Sequence, residues 1–219
     1  MTWIGWDRLL ENNQDKFSVA RPILSVRFES ALVFAFQLHA RQVRKGGQIP
    51  YIAHLLAVAA LVLEDGGDED QAIAALLHDA VEDQGGKQTL QLIQERYGEN
   101  VAQIVAGCTD ADHIPKPPWR QRKETYLEHL IRATAEVRRV SLADKLHNAR
   151  SLSQDLRRDG EAVWGRFKGG KQGTLWYYHS LVDIFGQFEH SQMYLEFKKA
   201  VEEINFFSRP NSGLPSHVY

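Results

Sequence analysis

Apolar residues recur at helical spacing along most of the chain. In three successive segments, residues three and four positions apart share this character: Ala31, Phe34, Ala35 and Leu38; Leu55, Val58, Ala59 and Val62; Ala72, Ala75, Leu76 and Ala80. The alternating polar and apolar runs that are typical of strands are almost missing. Glycine pairs mark helix ends between the segments, at Gly46-Gly47, Asp65-Gly66-Gly67, Gln84-Gly85-Gly86 and Lys168-Gly169-Gly170. The pattern therefore predicts an all-α, globular helical fold.

A helical hairpin and a loop follow these segments. Helical spacing from about Leu90 to about Thr109 predicts the hairpin. The run 112–119 contains prolines that cannot continue a helix, so it predicts a loop. The cations after this loop are expected on a solvated helix face, with contact to a phosphate as the alternative; they are Arg120, Arg122 and Lys123.

Length and composition are those of one globular domain. The chain has 219 residues, of which 43% are hydrophobic and 25% charged. We expect an N-terminal extension over 1–28 and one helical domain over 29–207. A tail rich in small and polar residues, over 208–219, is expected to be flexible.

Charge and cysteine usage narrow the partners and the compartment. The formal net charge of −2 gives no general attraction to a nucleic acid polymer or a membrane, so we expect a small anionic ligand met by a local basic cluster. The N-terminus lacks a signal-peptide layout, and no apolar run approaches the roughly 20 residues of a membrane span. Cys108, the single cysteine, is expected to be a plain buried thiol. These features predict a cytoplasmic protein.

The stretch Ala75–Asp83 carries most of the candidate chemistry. A helix through it places His78 beside Glu82 and Asp79 beside Asp83, because residues four apart share a face. Burying these groups together costs several kcal/mol in desolvation and repulsion. A bound cation removes that cost.

Two distant residues could complete a metal site. His54 stands at the start of an apolar run, and Asp144 interrupts another. Together with His78 and Asp79 they form a mixed nitrogen and oxygen ligand set for one divalent ion, which suits Mn²⁺, Fe²⁺ or Zn²⁺ better than Ca²⁺. Four protein ligands leave positions for water and substrate, as hydrolysis at a metal requires.

Four segments carry a family resemblance: Arg44-Lys45-Gly46-Gly47, Pro50-Tyr51-Ile52-Ala53-His54, Leu77-His78-Asp79-Ala80-Val81-Glu82-Asp83 and Leu142-Ala143-Asp144-Lys145-Leu146-His147-Asn148. From about Ala31 to about Phe188 the chain resembles the hydrolase domain of the RelA/SpoT homologue family, within the HD superfamily of metal-dependent phosphohydrolases. No synthetase-like or regulatory region is left over, so the chain is most similar to the small, single-domain alarmone hydrolases. The resemblance implies an HD hydrolase domain that uses Mn²⁺ to remove pyrophosphate from the 3′ position of guanosine tetra- or pentaphosphate, (p)ppGpp. A homo-oligomer is compatible with the sequence.

Glu82 and Asp83 are the candidate catalytic residues. Glu82 lies one turn beyond His78, where it could orient and deprotonate the attacking water, with Asp83 beside it. The resemblance implies the same assignment. The alternative is an acidic helix end without a role.

Four further residues are candidates for substrate binding. Arg44 could stack on guanine while Lys45 meets phosphate charge, as the resemblance also implies; the alternative is a cationic helix C-terminus over 41–45. Asn148, one turn after Asp144, could bond a sugar hydroxyl or a base. The resemblance implies an aromatic residue near the nucleotide, and Tyr178 is the candidate. Three neighbours are given no site role, Lys145 and Arg150 as surface cations and His147 as a non-ligand.

Two segments differ from the family at the substrate end. The loop 112–119 offers Asp112, His113 and Lys116 where relatives often place a lysine near the pyrophosphate, and the segment Gly165–Gly173 is rich in lysine and glycine. Two other functions stay open: an HD phosphohydrolase for another phosphorylated nucleotide or dinucleotide, and a non-catalytic nucleotide-sensing module. The complete set of candidate ligands argues against the module, which would be free to lose one of them.

Overall fold

The computed structural model of the protein describes residues 24–110, 117–188 and 190–209. Within these ranges lie ten α-helices: α1 Val26–Leu38, α2 Ile52–Glu64, α3 Glu69–Leu77, α4 Ala80–Asp83, α5 Lys87–Tyr97, α6 Glu99–Cys108, α7 Trp119–Arg132, α8 Ala135–Asp159, α9 Gly170–Phe185 and α10 Gln192–Phe207. A 3₁₀ helix, Gly160–Arg166, follows α8. The described residues form no strand, only an isolated antiparallel bridge between Val43 and Pro50. The predicted all-α fold is confirmed.

Helix α3 lies at the centre of the core. Residues 71–77 are all buried, and the helix packs against α1, α2, α6 and α8. Its N-terminus is polar: the Asp68 side chain accepts the Gln71 N–H at 2.9 Å, which satisfies an otherwise unpaired helix donor. Arg27 of α1 donates to Glu69 and Asp70 in the first turn. The C-terminal end of α3, which leads to His78, is therefore the end that lies among apolar residues.

Helix α8 provides the second wall of the core. It packs along α10 and also contacts α2, α3 and α6. Thr134 caps its N-terminus by accepting the Val137 N–H at 3.4 Å. Asp144 lies on the buried face of this helix, between the apolar residues Val140 and Leu146.

Three predicted boundaries differ from the structure. The helix predicted through Ala75–Asp83 is broken, because α3 ends at Leu77 and α4 begins at Ala80. Helix α1 ends at Leu38, so the alternative of a helix C-terminus over 41–45 is wrong. The predicted helix stop at Lys168-Gly169-Gly170 instead lies at the start of α9.

Of the remaining predictions, some are confirmed and others concern residues that the structure does not describe. The helical hairpin from about Leu90 to Thr109 is confirmed as α5 and α6, joined at Gly98 with φ of 94°. Of the predicted termini and loop, residues 1–23, 112–116 and 210–219 lie outside the described residues, and with them Asp112, His113 and Lys116. Among the described helices, none combines the length and apolar character that crossing a bilayer requires.

Cys108 agrees with the expectation of an inert thiol. Its side chain is half-buried and lies 3.6 Å from the Ser141 hydroxyl. Burial raises the pKa of the Cys108 thiol to about 11, so it stays protonated at neutral pH.

Gly107 allows α6 to approach α8 closely, and this contact can be tested. A Cβ at Gly107 would lie 2.6 Å from Cγ2 and 2.8 Å from Cγ1 of Val137. We expect Gly107→Ala to lower the free energy of unfolding by about 1–3 kcal/mol, because overpacking outweighs the better helix propensity of alanine. Urea unfolding followed by circular dichroism measures the change. Gly165→Ala is the control, because a Cβ there has nothing within 4 Å; equal losses in both variants would contradict the explanation.

Candidate active site

A turn before α2 brings His54 into the protein interior. The bridge between Val43 and Pro50 is flanked by two backbone hydrogen bonds of 2.8 and 2.9 Å, which close the turn. Helix α2 starts directly after it, so His54 falls in the first turn of the helix. The side chain is only 1% exposed.

His78 and Asp79 occupy the break between α3 and α4. Adjacent residues of a regular helix point about 100° apart, so an unbroken helix would separate the two side chains. Asp79 has φ of −94° and ψ of −3°, in the sparsely populated region where many active-site residues lie. At this bend, His78 Nε2 lies 3.0 Å from Asp79 Oδ2. The break therefore lets both side chains face one point.

The four residues predicted as metal ligands meet at that point. His54 Nε2 lies 3.2 Å from Asp144 Oδ1 and 3.6 Å from Asp79 Oδ2. His78 Nε2 lies 3.6 Å from Asp144 Oδ1. One ligand atom each from His54, His78 and Asp144 falls within 4.8 Å of the others. Helices α2 and α8 and the α3–α4 break thus contribute to one buried cluster.

The chemistry of this cluster fits a divalent metal ion. Neither His54 Nε2 nor His78 Nε2 makes a hydrogen bond to another described residue, although both atoms are buried. His78 Nδ1 lies 2.8 Å from the Ala75 carbonyl oxygen, which only accepts, so Nδ1 carries a proton, and Nε2 presents a lone pair once the ring is neutral, as metal binding requires. Buried lone pairs facing carboxylates form the donor set that a divalent metal takes.

The ionisation of the cluster residues also favours a bound cation. Burial by itself would lower the pKa of His78, but Asp79 and Asp144 outweigh it and raise that pKa well above its ordinary value. Burial would raise the pKa of both acids, yet the histidines, and for Asp144 also Lys145, hold these pKa values well below the usual range. Two ionised carboxylates therefore favour a positive charge beside the two imidazoles.

Tyr51 contacts Asp79 and His147 contacts His54, and the sequence pattern predicted a site role for neither. The Tyr51 hydroxyl donates to Asp79 Oδ2 at 2.5 Å. His147 Nδ1 lies 2.8 Å from His54 Nδ1, and burial beside His54 lowers the pKa of His147 to about 4, so the ring is neutral at pH 7. Partners of this kind orient metal ligands. Helical spacing offered a signal, because His147 stands three residues after Asp144 and shares its face.

Lys145 also belongs to the site, and its interpretation as a surface cation is wrong. Its Nζ lies 2.6 Å from Asp144 Oδ2, and its side chain is 16% exposed. It further lies 5.2 Å from the centre of the Tyr126 ring. Arg150, by contrast, is an exposed surface cation as predicted and contacts Glu196.

Glu82 and Asp83 both lie in α4, within one turn of Asp79. Glu82 is half-buried, whereas Asp83 is exposed and its Oδ2 accepts the Gln42 Nε2–H at 2.7 Å. Loss of hydration raises the pKa of Asp83; Gln42 opposes this, and the negative charges of Asp79 and Glu82 add to it. The short helix keeps two acids next to the metal cluster, and their catalytic role stays a prediction.

Asn148 connects the metal cluster to Arg44. Its Nδ2 donates to Asp144 Oδ1 at 2.5 Å, and its Oδ1 accepts from Arg44 Nη2 at 2.7 Å. The Arg44 guanidinium carbon lies 5.8 Å from the centre of the Tyr51 ring. Lys45 is exposed, with Nζ 5.5 Å from the centre of the Phe167 ring. Of the predicted substrate contacts, Asn148 therefore borders the cluster directly, and Arg44 is joined to the cluster through Asn148.

Tyr178 is buried rather than open to a cleft. Its ring centre lies 6.3 Å from that of Tyr177 and 6.2 Å from that of Phe197. Burial raises the pKa of Tyr178, while the charge of Lys145 lowers it. Its role beside a nucleotide stays a prediction.

The expected solvated face after the 112–119 loop is wrong for two of its three cations. Arg122 and Lys123 lie 2.6 and 2.7 Å from Oδ2 of Asp110, whose side chain is 8% exposed. Lys123 Nζ also lies 4.8 Å from the centre of the Tyr177 ring. Arg120 is exposed as predicted and lies over Trp176.

The domain is all-helical and has two histidines and two carboxylates clustered at its centre. These features are typical of helical proteins that bind a divalent metal ion. The chain belongs to the HD domain family, whose model matches residues 31–175. The predicted resemblance to the RelA/SpoT homologue hydrolase domain is also confirmed, because similar proteins are named as guanosine-3′,5′-bis(diphosphate) 3′-pyrophosphohydrolases.

Two of these relatives carry the same description. The chain is 36% identical over 150 residues to the probable guanosine-3′,5′-bis(diphosphate) 3′-pyrophosphohydrolase of Synechocystis sp., an alignment that covers 67% of this chain and 19% of the relative. It is 40% identical over 124 residues to the guanosine-3′,5′-bis(diphosphate) 3′-pyrophosphohydrolase MESH1 of Xenopus tropicalis, covering 55% of this chain and 66% of that relative. The chain thus spans less than two thirds of either relative and about a fifth of the first.

Solved structures share the fold. A metazoan ortholog of SpoT described as hydrolyzing ppGpp matches with a TM-score of 0.68 at 24% identity, over 83% of this chain and 97% of that one. Protein lmo0812 from Listeria monocytogenes EGD-e matches with a TM-score of 0.61 at 30% identity, over 69% of this chain and 97% of that one.

Proposed function

We propose that this protein is a metal-dependent phosphohydrolase that removes pyrophosphate from the 3′ position of (p)ppGpp. The observation that carries the proposal is the buried cluster of His54, His78, Asp79 and Asp144, bordered by Arg44 and Asn148. Relatives that are 36% and 40% identical are named as hydrolases of this nucleotide. A small guanine nucleotide as substrate and a single, unreactive cysteine suit a cytoplasmic protein.

The four clustered residues would hold one divalent ion, and we propose Mn²⁺, with Fe²⁺ or Zn²⁺ as alternatives. When bound, such an ion supplies a Lewis acid at the phosphoryl oxygen and lowers the pKa of water. Tyr51 and His147 would keep Asp79 and His54 in position. Lys145 would neutralise the remaining charge of Asp144, so that this carboxylate stays ionised in its buried place.

Glu82 and Asp83 would serve as the acid and base of the reaction. The attacking water gives a proton to one of the two carboxylates, while its oxygen forms a bond to phosphorus. The bond from phosphorus to the ribose 3′ oxygen breaks, and that oxygen takes up a proton as pyrophosphate leaves. Glu82 and Asp83 lie in α4, within one turn of Asp79, and this position supports their roles as acid and base.

Arg44, Lys45, Asn148 and Tyr178 would bind the nucleotide. Arg44 would stack on guanine, and Asn148, which accepts from Arg44, would hold a sugar hydroxyl or the base. Lys45, exposed beside Phe167, would meet phosphate charge. Tyr178, which is buried, would lie near the nucleotide.

Turnover by the purified protein tests the proposal. We expect release of pyrophosphate from (p)ppGpp with Mn²⁺, and none after removal of the metal by a chelator. A panel of 3′- and 5′-phosphorylated nucleotides serves as comparison. Preferred hydrolysis of a nucleotide without a 3′-diphosphate would favour the alternative of another HD phosphohydrolase. Binding of (p)ppGpp without turnover would favour a nucleotide-sensing module.

Arg44 separates guanine recognition from general phosphate binding. We expect Arg44→Ala to lower kcat/KM for (p)ppGpp by an amount equivalent to about 1–2 kcal/mol, typical of a desolvated cation–π contact. Metal content should stay the same. Hydrolysis of a chromogenic phosphoester, which has no base to stack, should be nearly unaffected. Equal losses on both substrates would show that Arg44 serves phosphate charge or folding.

Arg150→Ala is the matched control. Arg150 lies on the same helix as Asn148 but is exposed and contacts Glu196. Its removal should change neither activity. A loss similar to that of Arg44→Ala would indicate a general effect of positive charge on substrate attraction.

A further inference from the structure

Gln42 connects the loop after α1 to the acid pair of α4. Its Nε2 donates to Asp83 Oδ2 at 2.7 Å. Its Oε1 accepts from Gln84 Nε2 at 2.7 Å and lies 2.7 Å from His39 Nδ1. Every polar atom of the Gln42 amide therefore has a partner at hydrogen-bond distance.

This arrangement determines which way the amide points. A carboxylate only accepts, so the Gln42 atom beside Asp83 must be the NH₂ group. The carbonyl oxygen then faces His39, whose Nδ1 must carry the proton and donate. His39 is 2% exposed, and its other ring nitrogen has no hydrogen-bond partner among the described residues. The buried ring therefore acts as a fixed donor that prevents Gln42 from turning its oxygen toward Asp83.

The same histidine supports the metal side of the site. The His39 ring stacks on Tyr51, with ring centres 5.3 Å apart and planes 19° from parallel. The Tyr51 hydroxyl in turn donates to Asp79 Oδ2. One buried ring thus contacts both the residue that bonds Asp79 and the residue that bonds Asp83.

Asp83 needs such a support because it lies at an open edge. Gln42, Asp83 and Gln84 line a cavity of about 580 Å³ on the side of the last turn of α1. An aspartate with one side open to water can adopt several rotamers unless another group holds it. A single charge-assisted bond from a fixed amide limits it to one.

We infer that Gln42, oriented by His39 and Gln84, is a positioning residue for Asp83. The inference rests on the proposed function, since it concerns the acid pair of that reaction. Gln42 bonds one carboxylate oxygen of Asp83 and so limits the movement of the other, which would face the attacking water. Because Gln42 affects the attack by water, its effect does not depend on the nucleobase of the substrate.

Gln42→Leu tests this role, because leucine keeps similar volume and removes the donor. We expect kcat to fall about 10–100-fold, the usual effect of losing an outer partner at a metal site. KM and metal content should stay nearly constant, since Gln42 contacts none of the proposed metal ligands. His39→Phe keeps the stack on Tyr51 and leaves Gln84 as a partner of Gln42, so its loss should be smaller.

Two controls separate positioning from general stability. Gln103→Leu removes an equivalent amide donor, whose Nε2 lies 2.8 Å from Glu99 on the exposed face of α6, and it should leave kcat unchanged. In an Asp83→Ala background, Gln42→Leu should cost almost nothing more, because the group on which it acts is missing. Equal losses from Gln42→Leu with and without Asp83 would overturn the inference, as would a normal kcat in the single variant.

Two substrates keep the inference distinct from the proposed function. The same comparison is made with (p)ppGpp and with a chromogenic phosphoester, and Gln42→Leu should lower kcat on both. Hydrolysis of the phosphoester but not of (p)ppGpp by the wild-type protein would overturn the proposed substrate, while the fall of kcat on the phosphoester would still support the role of Gln42. A loss confined to (p)ppGpp would overturn that role, since it would assign Gln42 to nucleotide binding.

Discussion

Asp79→Ala is expected to remove the bound metal and the activity together. The Asp79 carboxylate lies 3.0 Å from His78 Nε2 and 3.6 Å from His54 Nε2, so its loss leaves the cluster with one carboxylate in place of two. It also removes the partner of the Tyr51 hydroxyl. Elemental analysis after dialysis, together with turnover of (p)ppGpp, measures both effects.

A surface aspartate provides the control for this variant. Asp183 lies on the exposed side of α9, and Asp183→Ala should keep both metal and turnover. Circular dichroism checks that Asp79→Ala is folded. Stoichiometric metal in the folded Asp79→Ala protein would rule out Asp79 as a ligand and leave His54, His78 and Asp144 as the metal set.

Glu82→Gln is expected to separate catalysis from metal binding. The substitution removes the proposed base but leaves all four proposed ligands, so the protein should keep its metal and its fold. Turnover should fall by about 10²–10⁴, the usual contribution of a positioned acid or base. Steady-state kinetics and elemental analysis on the same preparation give both quantities.

Asp83 is the alternative base if Glu82→Gln keeps its activity. Near-normal turnover by Glu82→Gln would move the base to Asp83, and Asp83→Asn would then be expected to show the large loss. The two acids differ in surroundings, since Glu82 is half-buried while Asp83 is exposed and bonded to Gln42. Loss of metal in Glu82→Gln would instead contradict the separation of roles.

Much of the candidate site could be predicted from the sequence. The residue types of His54, His78, Asp79 and Asp144 indicated a metal ligand set, and the structure brings these side chains to one point. Their role as ligands stays a prediction that Asp79→Ala tests. The outer partners were missed, because Tyr51 and Lys145 resemble ordinary polar residues until the folded chain pairs them with carboxylates.

The substrate end was less predictable for a related reason. Whether a cation is buried depends on a partner that can lie far away in sequence, and local periodicity carries no information about such pairs. Lys123 was expected on a solvated face, yet Asp110 draws it into a half-buried pair. The Arg44–Asn148 bond joins residues more than one hundred positions apart.

The sequence by itself determined the all-α fold, the α5–α6 hairpin and the residue types of the metal cluster. These depend on hydrophobic spacing and side-chain chemistry, which act over short stretches of chain. Only the tertiary structure decided the break at His78 and Asp79, the partial burial of Lys145 and the orientation of Gln42. Each of these arises where separate helices meet, because only packing between them determines which polar groups lose water and find one another.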